Sequence, residues 1–587
     1  MDLFNYSRRQ ATEVNIGATP MGGTNPIRIQ SMTNTVTMDT EACIEQAKRI
    51  SEAGGEYVRL TTQGVREAEN LMNINIGLRS QDNTTPLVAD VHFNPNVADV
   101  AAKYAEKVRI NPGNYVDAAR TFKKLEYTDE EYAQEIEKIR ARLVPFLEIC
   151  KENFTAIRIG VNHGSLSDRI MSRYGDTPEG MVESCMEFLR ICKEENFKDV
   201  VVSIKASNTM VMIQTVRLLV SEMEKEDMAF PIHLGVTEAG DGEDGRIKSA
   251  LGIGALLSDG IGDTIRVSLS EAPEAEIPVA RKLVDYIENR EDHLYIPGKV
   301  ANGFDYLSPK RRVTTPVQNI GGNNQPIVIA DRFDGSVEVN EQFKPDYIYC
   351  GQELPENRRK DIAYIVDANN WDENEENTYP AFSYKQIMEL HFSKAKMKFF
   401  FLPYMAVERE TIAALRLHPE VVIIAQSSHL NRLGEFRAMT FELSDAGLQN
   451  PIVFFQFYQE EEAEDLQIKA AADMGALIYD GLCDGIFLFN QGTLSHDTVD
   501  TTAFNILQAG RVRISKTEYI SCPGCGRTLY DLESTIARVK EATSHLKGLK
   551  IAIMGCIVNG PGEMADADYG YVGAGRGKIS LYKKKEC

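Results

Sequence analysis

Short apolar, β-branched runs alternate with amphipathic, helix-like stretches through the first half of the chain. Strands that alternate with helices in this way predict right-handed βαβ units and a parallel sheet. Eight such units favour a closed (β/α)₈ barrel. An open doubly wound sheet is the alternative, although no GxGxxG motif follows the first run. The predicted strands are 27–32, 57–61, 87–91, 108–111, 157–161, 201–205, 232–236 and 264–268.

A second series of apolar runs follows a Gly-rich joint at 298–309, again separated by helix-like segments. We interpret it as a second parallel α/β unit, a degenerate barrel that serves as scaffold or interface. The acidic stretch from Trp371 to Glu376 is typical of a solvated loop. The predicted strands of this region are 327–330, 347–350, 362–366, 398–402, 421–425, 452–457, 476–480 and 485–489.

The last part of the chain combines a predicted helix at 530–548 with a predicted strand at 549–555, as in a short βαβ-like module. The predicted fold is therefore α/β throughout. An N-terminal (β/α)₈ TIM barrel covers 1–297, an inserted barrel-like α/β domain covers 298–515, and a small C-terminal α/β domain covers 516–587.

Composition and charge narrow the classes of partner. The chain has 64 Lys+Arg against 86 Asp+Glu, a net charge of −22, which disfavours nucleic acid and anionic membranes. No apolar run approaches the ~20 residues that cross a bilayer. The N-terminus lacks the apolar core of a signal peptide. We therefore expect a cytoplasmic protein.

Polar side chains recur at the ends of the predicted barrel strands, where parallel strands converge on one face. Five of them are cations, and such a cluster repels itself unless an anion neutralises it. Guanidinium groups bind phosphate through a planar fork, so the set indicates a polyphosphate or a diphosphate. The alternative is that each cation pairs with a local carboxylate. The cations are Arg59, Arg109, Arg158, Lys205 and Arg266.

Three of the ten cysteines lie amid Gly and Pro near the C-terminus, in SCPGCG (521–526) and MGCIVNGPGE (554–563). Cys522 and Cys525 form a Cys-x₂-Cys pair, and Cys556 follows the intervening helix. An iron–sulfur cluster, a structural zinc and a thiol redox pair all remain open on spacing alone. Glu563 follows Cys556 across a tight Asn-Gly-Pro-Gly loop and could face the same metal as a weak, displaceable ligand.

Long motifs in one order, at both ends of the chain, resemble the 4-hydroxy-3-methylbut-2-en-1-yl diphosphate synthase family. The segment at 298–515 resembles the insertion of the long, three-domain form, and no chemistry carries over to it. The motifs are IQSMTNT (29–35), PLVADVHF (86–93), VRINPGN (108–114), IRIGVNHGSL (157–166), SIKAS (203–207), HLGVTEAG (233–240), GIGDTIRVSL (260–269), EYISCPGCGRTLYDL (518–532) and MGCIVNGPGE (554–563).

The resemblance implies a [4Fe-4S] cluster held by Cys522, Cys525, Cys556 and Glu563, with Glu238 as an acid that assists proton delivery. It implies a diphosphate clamp of Arg59, Arg109, Arg158, Lys205, Ser207, Arg266 and Ser268. It also implies polar contacts to the substrate carbons and hydroxyls from Asp90, Asn111 and Asn162.

The implied reaction converts 2-C-methyl-D-erythritol 2,4-cyclodiphosphate into 4-hydroxy-3-methylbut-2-enyl diphosphate, with ferredoxin or flavodoxin as electron donor. The short form of the family is a homodimer, and the C-terminal domain is expected to close over a barrel mouth by a hinge. A zinc-stabilised, non-enzymatic scaffold is the rival of another class. A radical enzyme using S-adenosylmethionine is disfavoured because no cysteine trio lies near residue 30.

Overall fold

The computed structural model describes residues 2–117, 125–557, 564, 566–575, 577–584 and 586–587. The chain forms two compact units, which we name for their content. The barrel unit comprises Arg8–Leu257, Ile261–Val284 and Lys516–Cys587. The insert unit comprises Met1–Ser7, Ser258–Gly260 and Asp285–Ser515. Among the described residues, no helix combines the length and the apolarity that crossing a bilayer requires.

The barrel unit contains the predicted N-terminal barrel. In its described part, eight parallel strands follow one another in the order β6-β5-β4-β3-β2-β1-β8-β7, and an isolated bridge between Val202 and Ile232 joins β6 to β7. The open doubly wound alternative is therefore wrong. The strands are β1 (Arg28–Met32), β2 (Tyr57–Thr62), β3 (Leu87–Val91), β4 (Lys107–Ile110), β5 (Ala156–Asn162), β6 (Val200–Lys205), β7 (His233–Leu234) and β8 (Thr264–Ile265).

Helices connect these strands because their apolar positions recur at helical spacing. In the first helix, Cys43, Ala47 and Ile50 are buried, and the Asp39 side chain caps its start by accepting from the Ala42 N–H. The helices are α1 (Thr40–Glu52), α2 (Val65–Arg79), α3 (Pro95–Ala101), α4 (Pro112–Tyr115), α5 (Asp129–Asn153), α6 (Asp168–Tyr174), α7 (Pro178–Glu194), α8 (Thr209–Lys225), α9 (Gly242–Ser258) and α10 (Glu276–Glu288), with 3₁₀ turns at His163–Ser165 and Pro273–Ala275.

The insert unit contains a second parallel barrel, closed in the order β10-β11-β12-β13-β14-β15-β16-β9. Inward-facing side chains such as Ile329, Tyr347, Phe399 and Phe487 fill its core. The strands are β9 (Ile327–Asp331), β10 (Tyr347–Tyr349), β11 (Ala363–Asp367), β12 (Thr378–Ser383), β13 (Lys398–Pro403), β14 (Val421–Gln426), β15 (Ile452–Tyr458) and β16 (Gly485–Asn490).

Helices are unevenly distributed around this second barrel. Between β9 and β13, a fully described stretch, the connections are loops and 3₁₀ turns, and α-helices follow only the later strands. The predicted solvated loop at 371–376 lies in one of these connections. The helical elements are α11 (Arg409–Leu417), α12 (Arg432–Asp445), α13 (Ala463–Tyr479) and α14 (His496–Ala509), with 3₁₀ segments at Ala368–Asn370, Tyr384–His391 and Tyr404–Ala406.

One predicted strand of the insert is wrong, and one observed strand was not predicted. The run at 476–480 belongs mostly to α13, which is buried along most of its length and so presents an unbroken apolar sequence. Strand β12 has the sequence TYPAFS. It was not predicted because it contains a central proline and no long apolar run.

The C-terminal segment of the barrel unit forms a small four-stranded sheet, which we call the cysteine module (Lys516–Cys587). The predicted helix and strand are present in shorter form as α15 (Leu532–Thr543) and β18 (Lys550–Met554). An antiparallel pair, β19 and β20, was not predicted. The strands β17 (Glu518–Ser521), β18, β19 (Tyr569–Gly575) and β20 (Lys578–Lys583) lie in sequence order.

Candidate active site

A cavity of about 780 Å³, part of it open to solvent, lies at the carboxyl ends of the barrel strands and beneath the cysteine module. Strand register explains which side chains meet there. Asp90 of β3 lies opposite Arg109 of β4, and Arg109 lies opposite Arg158 of β5. The predicted site residues that line the cavity are Arg59, Asp90, Arg109, Arg158, Asn162, Lys205, Glu238, Arg266, Ser268, Cys522, Cys525 and Cys556.

Asp90 is the central anion of this cavity. Arg109 Nη1 lies 3.0 Å from Asp90 Oδ1. Burial alone would raise the pKa of Asp90, but Arg59 and Arg109 hold it well below its ordinary value, so Asp90 is ionised. His92 contacts Arg109, and burial together with that cation lowers the pKa of His92 to about 3. His92 is therefore a neutral imidazole at physiological pH.

Three cations of the mouth, Arg59, Arg158 and Lys205, form no ion pair with any described residue. Arg59 donates instead to the Met32 sulfur, at 3.1 Å from Nε and 2.9 Å from Nη2. Arg158 Nε and Nη1 are buried without a hydrogen-bond partner in the described chain. Burial, and then repulsion from Arg59, lowers the pKa of both Arg158 and Lys205. An anionic ligand would relieve both penalties.

Arg266, unlike these three cations, forms an ion pair. Its Nε and Nη2 both donate to the carboxylate of Glu276, each at 3.0 Å, and both side chains are buried. The alternative of a locally paired cation therefore holds for Arg266, and Arg109 is paired with Asp90. The net positive charge of the mouth resides mainly on the other three cations.

Two glycines make room for these long side chains. A Cβ placed on Gly160 of β5 would lie 2.6 Å from Arg109 Nε. A Cβ placed on Gly235, just after β7, would lie 2.7 Å from Lys205 Nζ. Both distances are shorter than a van der Waals contact, so glycine at these positions is what admits the cations into the barrel interior.

The cysteine module packs against the mouth of the barrel in its own unit, so the cysteines and the cations come from the same chain. Ser521 of β17 forms a parallel bridge with Ala239. Ser270 Oγ donates to the Cys522 carbonyl at 2.9 Å. Two ion pairs add to this contact, Lys248–Glu518 at 3.1 Å and Lys516–Asp244 at 2.6 Å.

The three predicted cysteine ligands are partly exposed, form no disulfide among the described residues and line the same cavity. Cys522 Sγ accepts a hydrogen bond from the Gly555 N–H at 3.2 Å. Among the described residues, no group of three or more His, Cys, Asp or Glu side chains is already gathered around one point for a metal ion. Glu563, the predicted fourth ligand, lies outside the described residues.

The remaining predicted residues occupy different places. Glu238 is buried at the cavity wall with φ +50°, a left-handed backbone that is strained for a glutamate and common at functional sites. Asn111 does not line the cavity: its side chain caps α4 through the Gly113 N–H and donates to Ser165. Ser207 is buried outside the cavity lining.

Arg527 is a cavity residue that the sequence reasoning missed. It lies two residues after Cys525, and its Nη2 is 3.5 Å from Asp90 Oδ2, so it joins the cysteine module to the barrel's central anion. Its Nε is buried without a hydrogen-bond partner among the described residues. The available signal was a cation directly after the Cys-x₂-Cys pair, in the sequence CPGCGR.

A (β/α)₈ barrel with cations and thiols gathered at its mouth defines a barrel enzyme with an anion-binding active site. Comparison with known proteins specifies the family. Residues 11–281 match the GcpE TIM-barrel domain, and residues 518–587 match the GcpE protein C-terminal domain. The chain belongs to the 4-hydroxy-3-methylbut-2-en-1-yl diphosphate synthase family, as the resemblance of its motifs indicated.

Relatives match along the full chain. A Phocaeicola vulgatus protein is 81% identical over 100% of this chain and 96% of its own length. A Porphyromonas gingivalis protein is 49% identical over 100% and 95%, and a Chlorobaculum tepidum protein 40% identical over 100% and 87%. All three are named 4-hydroxy-3-methylbut-2-en-1-yl diphosphate synthase (flavodoxin). A solved N-acetylneuraminic acid synthetase from Leptospira borgpetersenii matches at 12% identity, 50% of this chain, 94% of that chain and TM-score 0.32, which is too distant to bear on function.

Proposed function

We propose that this chain catalyses the reductive ring opening and dehydration of 2-C-methyl-D-erythritol 2,4-cyclodiphosphate to 4-hydroxy-3-methylbut-2-enyl diphosphate, a step of isoprenoid biosynthesis. Atoms balance when the cyclic substrate takes up two electrons and two protons and releases one water. The observation that best supports the proposal is a single cavity lined by both cations and cysteines. The cations suit the diphosphate, and the thiols suit a redox group.

The diphosphate would be held by the cations that lack a carboxylate partner. Arg59, Arg158 and Lys205 project from three strands into the cavity, and Ser268 and Asn162 offer uncharged hydrogen bonds beside them. Negative charge grows on the diphosphate as its carbon–oxygen bond breaks. Buried, fixed cations stabilise such charge more than water does.

Proton delivery is assigned to Glu238, which with Asp90 is one of two carboxylates among the described residues that line the cavity. Arg59 and Arg109 keep Asp90 ionised, so Asp90 is unsuited to act as an acid. Glu238 lies on the segment that also bridges to the cysteine module through Ala239. Its backbone is thus fixed between the two parts of the site.

The donor set of the cysteine module fits an iron–sulfur cluster. Cys522, Cys525 and Cys556 line one cavity and form no disulfide among the described residues, and thiolates are the ligands that such clusters take. Glu563 would be the fourth, exchangeable ligand. When bound, a [4Fe-4S] cluster supplies single electrons at low potential. The Gly555 N–H that donates to Cys522 Sγ stabilises the thiolate charge.

Flavodoxin is the proposed electron donor, because the names of the relatives specify it, and ferredoxin is the alternative. We place the reaction in the cytoplasm, a reducing compartment that suits ten cysteines without a disulfide among the described residues. A homodimer, the assembly of the short form of the family, is the proposed oligomer.

Anaerobic purification tests the proposal. We expect a brown protein with about four iron and four sulfide per chain. With reduced flavodoxin and the cyclodiphosphate, mass spectrometry should detect the hydroxylated enyl diphosphate. Stoichiometric zinc without sulfide, or an iron-loaded protein that leaves the substrate intact, would contradict the assignment.

A matched pair of cysteine variants identifies the ligands. Cys522→Ser should lose bound iron and turnover together. Cys587→Ser changes an exposed thiol at the last residue and should retain both. Equal iron content in the two variants would remove Cys522 from the ligand set.

A further inference from the structure

The insert barrel has a second cavity at the carboxyl ends of its strands, about 1020 Å³ with part of it open to solvent. It lies wholly within the insert unit, and the proposed reaction makes no use of it. In barrel enzymes this end of the strands carries the ligand site, whereas the opposite end serves stability. Aromatic rings line this cavity, whereas cations and cysteines line the cavity of the barrel unit.

Five aromatic rings form a closed belt around this mouth, which we call the aromatic belt. Neighbouring ring centroids are 5.2, 5.4, 6.4, 6.2 and 5.7 Å apart, and the fifth distance returns to the first ring. All five rings are partly exposed, one of them to 55%. Large exposed rings gathered in a concave site mark a binding surface. In order, they are Phe333, Tyr349, Phe401, Phe455 and Phe489.

One carboxylate, Asp367, lines the cavity beside the belt. The Tyr349 hydroxyl donates to Asp367 Oδ1 at 2.6 Å, and Asp367 lines the cavity without an ion pair to any described residue. Asp331 lies opposite Tyr349 in strand register but lines a different cavity, together with Arg332 and His496. No Lys, Arg or His occurs among the described residues that line this cavity. The mouth is therefore aromatic and negative.

We propose that this mouth binds a small organic cation, an amine or a quaternary ammonium group. Aromatic faces attract such cations through the ring quadrupole, and Asp367 supplies the neutralising charge. Phosphates and carboxylates are excluded because no cation would hold them. A bare metal ion is disfavoured because Asp367 is the one carboxylate among the described lining residues, and no group of three or more His, Cys, Asp or Glu side chains is gathered in the described chain.

Isothermal titration calorimetry on the full-length protein tests this with two probes of equal shape. Choline carries the quaternary ammonium charge, and 3,3-dimethylbutan-1-ol replaces its nitrogen by carbon. We expect saturable binding of choline and at least tenfold weaker binding of the neutral alcohol. Equal affinity of the two probes, or no saturable binding of choline and tetramethylammonium, would overturn the proposal.

Variants assign the binding to this mouth. Asp367→Asn keeps an acceptor for Tyr349 and should weaken choline binding at least tenfold. Phe455→Leu removes one ring of the belt and should also weaken choline binding. Glu356→Gln alters an exposed carboxylate elsewhere in the insert unit and should bind choline as the parent does. Unchanged affinity in Asp367→Asn and Phe455→Leu would refute the site.

Discussion

Replacement of Arg527 by glutamine probes how the cysteine module contributes to the substrate site. Arg527 Nη2 lies 3.5 Å from Asp90 Oδ2, and the two side chains are 6% and 2% exposed. At an effective dielectric of about 20, that separation corresponds to about 5 kcal/mol of attraction, much of it offset by the desolvation of both groups. Asp90 keeps Arg109 at 3.0 Å, so the variant does not leave it without a partner.

We therefore expect Arg527→Gln to lose about 1–3 kcal/mol of transition-state stabilisation, a drop of about 5- to 150-fold in kcat/KM. The kcat/KM of Arg527→Lys should lie between those of the parent and of Arg527→Gln, because lysine keeps the charge but lacks the planar guanidinium fork. Arg538→Gln is the matched control, since Arg538 is an exposed arginine of the same module.

The assay is anaerobic turnover normalised to bound iron, with reduced flavodoxin and, separately, a reduced viologen. The viologen removes any effect on flavodoxin docking. Parental kcat/KM in Arg527→Gln with full iron content would refute the reasoning. A loss of iron in proportion to the loss of rate would assign Arg527 to the thiols instead of the substrate.

Further predictions concern the barrel mouth and the insert. Arg158→Gln should cost about 1–3 kcal/mol of transition-state stabilisation, about 5- to 150-fold in kcat/KM, because Arg158 is one of the cations without a carboxylate partner, and parental kinetics would contradict its role in holding the diphosphate. Arg266→Met should reduce the free energy of unfolding by about 3–5 kcal/mol in urea titrations, because it leaves Glu276 buried without its partner, and Arg266→Met with Glu276→Leu should recover part of the loss. Burial raises the pKa of Asp331 from 3.8 to about 6, so its contribution to stability is full below pH 3.8 and is lost as pH rises through 6. The difference in unfolding free energy between the parent and Asp331→Asn should therefore change between about pH 4 and 6, and a constant difference would show that Asp331 titrates normally.

Much of the fold follows from the sequence because parallel strands buried on both faces read as short apolar runs. All eight strands of the first barrel lie at the predicted places. Strand β12 escaped because Pro380 interrupts it, and the buried α13 was mistaken for a strand at 476–480 because a helix apolar on all sides has no visible period.

The candidate site shows a similar limit. Their positions at strand ends identified Arg59, Arg158 and Lys205 as members of one mouth. The carboxyl ends of parallel barrel strands meet at one face, whatever the length or conformation of the loops. The sequence could not show that Arg266 is already paired, since Glu276 comes from a helix that follows rather than from a strand. It also could not show that Asn111 serves as a helix cap, which depends on how α4 begins. Pairing and capping are decided by tertiary geometry.

The bond from Ser270 to the Cys522 carbonyl joins residues 252 positions apart in the chain. During synthesis, the residues of the barrel mouth are therefore made long before the cysteine module that packs against them. Contacts of such long range form late, because loop closure must precede them. A folded insert unit would shorten the effective loop that has to close. On the ribosome, the barrel with its anion-binding mouth would thus be present before the cysteine module is made. The three cavity cysteines, Cys522, Cys525 and Cys556, would emerge late and close together.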